Sequence, residues 1–73
     1  MLTTDNAWGV RLLGEKIKEL RMKRGLTITD LAKKTGLSRV LLSKIENGHV
    51  ESILMSTAFA IAEALEVEVN EIF

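Results

Sequence analysis

Between Thr27 and Gly48 the chain sets two helix-start signals and two helix-stop signals in close succession, and that spacing restricts the fold more than any other feature. Thr27 is a good N-cap with Asp30 in the capping-box position three residues on, and it opens a helix expected to run to about Thr35. Gly36 breaks that helix. Ser38 caps the next one, which runs to about Glu46 and stops at Asn47-Gly48. Ala32, Gly36 and Leu42 give the geometry of the pair. A small residue suits two helices crossing at about 90–120°, a glycine suits a turn needing positive φ, and a leucine locks the pair from the far side. This is the spacing of a helix-turn-helix, although ordinary αα-hairpins share it.

Every other sustained pattern is helical as well. Val10, Leu13, Ile17 and Leu20 share one face of a first helix, which ends at Gly25 behind the basic turn Arg21-Met22-Lys23-Arg24. Its start is open: Thr4 or Asp5 could cap it, yet Gly9 and Gly14 would each cost about 1 kcal/mol in a helix interior. A fourth helix is expected from about Met55 to Leu65, burying Met55, Phe59, Ile61, Ala62 and Leu65, with a short terminal turn from Val69 to Phe73. The fold class is therefore all-α, with five helices.

Seventy-three residues make one small domain, and such a chain buries only about 60% of its unfolded surface. It has no cysteine and one histidine, so disulfides and thiolate zinc are excluded. The same scarcity makes catalytic or metal constellations hard to assemble. No catalytic residue, metal or cofactor is expected. No apolar run approaches the roughly 20 residues of a membrane span, and the N-terminus does not read as a signal peptide. A cytoplasmic, nucleoid-associated protein is the expectation.

The net charge of zero conceals segregation. All ten Lys and Arg residues lie between Arg11 and Lys44. Residues 1–49 hold those ten bases and five acids, whereas residues 50–73 hold five acids and no base. One half faces a polyanion and the other does something else, or two solvated surfaces differ in sign.

The third helix has two dissimilar sides. Leu41, Leu42 and Ile45 gather on one; Arg39, Val40, Ser43 and Lys44 gather on the other. The second set is the chemistry that reads a DNA major groove. Arg and Lys donate to guanine acceptors, a hydroxyl meets base or phosphate, and an aliphatic carbon meets the thymine methyl. Val40 could equally be a tolerated surface aliphatic.

The stretches "LGEKIKELRMKRGLT", "DLAKKTGLSRVLLSKIENG" and "AIAEALEVEVNEIF" resemble the Cro/phage-repressor (Xre) type of helix-turn-helix domain over residues 13–73. Residues 1–12 form an N-terminal extension outside the likeness that can join the first helix. The resemblance implies a lambda-repressor-like, five-helix DNA-binding domain whose third helix enters the major groove. Its base-contacting positions fall on Arg39, Val40 and Lys44, with Ser38 and Ser43 alongside. Its phosphate-contacting positions fall on Thr27 and Asn47; His49 could touch a phosphate or stand free in solvent. The resemblance also accounts for Arg21, an odd charge beside Ile17 on an apolar face, by pairing it with Glu46.

Two departures from the family pattern bear on affinity. Ile28 stands where the family usually has a glutamine that braces a phosphate and the third helix. The loop "HVESI" carries Glu51 where the family is commonly basic. Trp8 could reach DNA or a partner, but packing of an extra N-terminal turn is the better reading, and Lys33 and Lys34 read as a solvated face.

The apolar residues Ile53, Leu54, Met55, Val67, Val69, Ile72 and Phe73 are too many for one monomer core. Some are expected to form a two-fold interface, so that a homodimer reads a palindromic operator in double-stranded DNA. With no room for a ligand domain, control would fall to the protein's own concentration or to a protein partner, as in repressors, restriction-modification controllers and antitoxins of this fold. The rival reading is a protein-interaction module that keeps the fold and has lost DNA binding.

Overall fold

The computed structural model describes residues 6–72, with side chains from residue 11 onward. Four α-helices follow in order, α1 (Asn6–Lys23), α2 (Ile28–Thr35), α3 (Arg39–Glu46) and α4 (Met55–Ala64), and then one turn of 3-10 helix at Val69–Glu71. The described residues contain no strand. The fifth helix is thus only a turn, closed by the Glu68 N–H donating to the Glu71 carboxylate at 2.9 Å. Thr4 and Asp5, the side chains of Trp8 and Val10, and Phe73 lie outside the described residues.

Each helix contributes one stripe to a common core of Leu13, Ile17, Leu31, Leu42, Ile45, Ile61, Ala62, Leu65 and Ile72. Full burial of each large aliphatic side chain contributes roughly 1.5–3 kcal/mol. Helix α1 lies across α3, and α2 packs on both α3 and α4.

Gly14 stands at the α1–α3 crossing. A Cβ there would overlap the Ile45 carbonyl oxygen and stand 3.0 Å from that of Glu46. A glycine that weakens the helix by propensity is what lets the two backbones meet.

The local caps hold the short helices in register. The Thr27 hydroxyl accepts from the Asp30 N–H at 3.0 Å, and the Asp30 carboxylate accepts from the Thr27 N–H at 2.9 Å. That backbone hydrogen bond, with the Thr27 hydroxyl, holds the Asp30 carboxyl below its ordinary range. Gly36 ends α2 at φ 76°, with its N–H on the Ala32 carbonyl at 2.8 Å. An added Cβ at Gly36 would meet nothing within 4 Å, so the glycine is there for its backbone conformation and not for space.

Helix α4 departs from the expected burial. Met55 and Phe59 are 58% and 54% exposed, and Leu54 is 74% exposed. The face turned inward carries Ala58, Ile61, Ala62 and Leu65, which repeat at helical spacing; Met55 and Phe59, one turn apart, lie beside that stripe. The surplus apolar surface is also redistributed. Ile72 is buried, and Ile53, Val67 and Val69 pack half-buried against the core, leaving Leu54, Met55 and Phe59 outside.

The end of α4 lacks a glycine. Glu66 takes the left-handed conformation at φ 60°, while the Val67 N–H reaches the Ala62 carbonyl at 3.0 Å. The Arg24 guanidinium answers the exposed carbonyls there, Nε donating to Leu65 O and Nη2 to Glu66 O at 3.4 Å, a cation at a helix C-terminus. Because a Cβ in that conformation costs about 1–2 kcal/mol, Glu66→Gly is expected to stabilise the domain by about 0.5–1 kcal/mol net of glycine's extra chain entropy. Thermal melting checks it; an unchanged or lower midpoint contradicts the strain.

Candidate nucleic-acid interface

The inward side of α3 is held from two directions. Leu42 and Ile45 are 0% and 1% exposed in the core. Behind them, Arg21 Nε donates to Glu46 Oε2 at 2.7 Å and Nη2 to Glu46 Oε1 at 3.0 Å, a bidentate pair. The third guanidinium nitrogen, Nη1, donates to the Leu26 carbonyl at 2.8 Å. One side chain therefore ties together α1, the end of α3 and the residue before the Thr27 cap. The hydrogen bonds that Arg21 donates to Glu46 hold the Arg21 pKa above its ordinary value against the opposing effect of burial. Glu46 is the buried charged residue among those described, and its charge is fully answered.

The outward side presents Arg39, Val40, Ser43 and Lys44, all exposed, Val40 at 65%. Arg39 Nη1 lies 3.3 Å from the Thr29 hydroxyl of α2, so the first base on this face is steered toward the start of the neighbouring helix. Sequence patterning does not single out Thr29, because a solvent-facing threonine in the first turn of a helix gives no signal until Arg39 is seen beside it. Lys44 has no hydrogen-bond or ion-pair partner among the described residues.

The flanking residues are partly engaged in caps. The Ser38 hydroxyl accepts from the Leu41 N–H at 3.0 Å and keeps its own proton to donate. Asn47 Nδ2 donates to the Ser43 carbonyl at 2.9 Å and approaches the Ser43 hydroxyl at 3.4 Å. Thr27 sits exposed at the start of α2, its N–H already taken by Asp30. His49 is exposed in the loop, its N–H donating to the Lys44 carbonyl at 2.8 Å. The face thus brings Thr29 and Arg39 together at one end, and Ser43 and Asn47 together at the other, with Lys44 exposed on the same helix. Ile28 is half-buried against the core, and Glu51 is exposed. No group of three His, Cys, Asp or Glu among the described residues could hold a metal.

Two short helices at a glycine turn, the second clamped behind and polar in front, define a helix-turn-helix domain of the Cro and phage-repressor kind. The chain belongs to the helix-turn-helix family HTH_3, whose family model matches residues 17–72. It is 42% identical over 60 residues to the immunity repressor protein of Bacillus phage phi105, a match covering 82% of this chain and 41% of that protein. It is 41% identical over 58 residues to the HTH-type transcriptional regulator MJ0272 of Methanocaldococcus jannaschii, covering 80% of this chain and 86% of that protein.

Among solved structures, the restriction-modification controller protein C.AhdI from Aeromonas hydrophila superposes with a TM-score of 0.84 at 30% identity, over 88% of this chain and 96% of that one. A Vibrio cholerae transcriptional regulator of the same family superposes at 0.87 and 30% identity, over 94% of this chain and 38% of that one. This chain therefore spans about two fifths of the phage repressor and of the Vibrio regulator, and most of the two smaller proteins.

Proposed function

We propose that the chain is a homodimeric, sequence-specific reader of double-stranded DNA that regulates transcription in the cytoplasm. The observation that carries the reading is the two-sidedness of α3. Its inner side is fixed by Leu42, Ile45 and the Arg21–Glu46 pair, while its outer side holds four exposed groups of base-reading chemistry. In this account Arg39, Val40, Ser43 and Lys44 meet base edges with Ser38 alongside. Thr27, Asn47 and His49 set the register on phosphates.

The names of relatives support it, one an immunity repressor and one a restriction-modification controller. The exposed Leu54, Met55 and Phe59 give a second copy a surface to cover. A dimer joined through that acidic half would keep its five surplus carboxylates away from the DNA, and its two-fold symmetry would match a palindromic site.

A salt titration on duplex DNA tests the reading: binding should weaken steeply with salt as condensed ions are released. Salt-insensitive or absent duplex binding by the folded protein would favour a module that docks on another protein, the reading that Ile28 and Glu51 support. Within the DNA reading, Lys44→Ala should relax preference at one base position and cost about 1–3 kcal/mol on the preferred site. An unchanged site preference removes Lys44 from base recognition.

A further inference from the structure

We propose that Arg11, which lies outside the residues matched by the family, is a phosphate anchor at the C-terminal end of α3. The inference rests on the DNA reading above and assigns it a contact on α1.

Gly48 ends α3 in the left-handed conformation at φ 72°. Its backbone is covered by Arg11: a Cβ added at Gly48 would stand 2.6 Å from Arg11 Cγ and 3.3 Å from Arg11 Cα. The aliphatic stem of Arg11 is therefore laid along the helix end, and the residue remains exposed. Among the described residues its guanidinium has no carboxylate or carbonyl partner. Fixing the stem of a long cation while leaving its head in water lowers the entropy lost when the head binds an anion.

The position on the face gives the anion. Lys44 stands one turn before Gly48 on the outward side of α3, and Asn47 and His49 flank it, both exposed. A helix that lays Val40 and Lys44 against base edges leaves the groove at this end, over the sugar-phosphate strand. Asn47 is engaged with the Ser43 carbonyl, and the loop beyond supplies Glu51 and no base. Arg11 puts onto α1 the cation that this loop lacks. Helix α1 begins before Arg11, at Asn6, and so holds Arg11 in helical geometry against the end of α3.

The test compares the parent with Arg11→Met, which keeps a stem over Gly48 without the charge, and Arg11→Lys, which keeps the charge. Affinity is measured across a salt series on a duplex enriched from a random pool and on an unrelated duplex of equal length. Arg11→Met is expected to lower the salt slope by about one for each recognition helix engaged. It should weaken both duplexes equally, by about tenfold for each recognition helix engaged, as expected for one charged hydrogen bond in each. Arg11→Lys should hold the parent slope. Where Arg11→Met lowers the melting midpoint, Arg11→Gln reads the same slope. A parent-like slope in the uncharged variants, with the parent still binding, overturns the Arg11 contact and leaves the DNA reading intact. No salt-dependent binding by the parent overturns both.

Discussion

Arg21→Ala is expected to lower stability by about 3–5 kcal/mol, because it strands Glu46 as an unanswered charge in the core. The two side chains are 12% and 4% exposed, so water cannot replace the lost partner. Natural domains are stable by only about 5–15 kcal/mol, and one this small falls at the low end. The variant should therefore be largely unfolded at moderate temperature by circular dichroism. It also frees the Leu26 carbonyl, loosening the entry to α2 together with the exit from α3. Replacing both partners, Arg21→Met with Glu46→Leu, should recover much of the loss, since an apolar pair leaves no buried charge. A single variant that melts like the parent would remove the ion pair from the account of the fold.

Gly14→Ala carries the second large effect, with a sign opposite to helix propensity. On propensity alone the change should stabilise α1 by about 1 kcal/mol. The new methyl group would instead fall on the Ile45 carbonyl oxygen, which belongs to backbone and cannot rotate away. Helix α3 must then shift, and overpacking of this kind costs about 1–3 kcal/mol or more. A displaced α3 also carries Arg39, Val40, Ser43 and Lys44 out of position. Gly14→Ala should thus melt lower than the parent and, on the proposed reading, lose DNA affinity with none of the outward side chains of α3 altered. A raised melting midpoint contradicts the close crossing.

These two positions mark where sequence reading succeeds and where it stops. The caps at Thr27 and Ser38 and the stops at Gly25, Gly36 and Gly48 are local chemistry, so they are legible as residue types at fixed offsets. The outward face of α3 is legible for the same reason, since periodicity alone separates it from Leu42 and Ile45.

Long-range partners leave no such trace. Gly14 reads as a weak point in a helix until Ile45 is seen against it. Arg24 reads as part of the basic turn that closes α1, yet it caps the end of α4. Met55 and Phe59 read as core residues because they are large and apolar. In the fold, the small Ala58 faces the core instead, since α4 lies close against its neighbours and its rotation about its own axis is set by that packing. Glu66 gives no stop signal at all, and its strained conformation follows from the Val67 and Arg24 contacts around it.

The central claim, that the outward face of α3 reads DNA as one half of a dimer, is tested most directly by selecting bound duplexes from a random pool at moderate salt and sequencing them. The account predicts a two-fold symmetric motif whose half-sites lie about one helical turn apart, roughly 34–36 Å, with preference relaxed at one position of each half-site on replacing Lys44. Folded protein that enriches no sequence would contradict it, and would make the outward face of α3 a scaffold for something other than DNA.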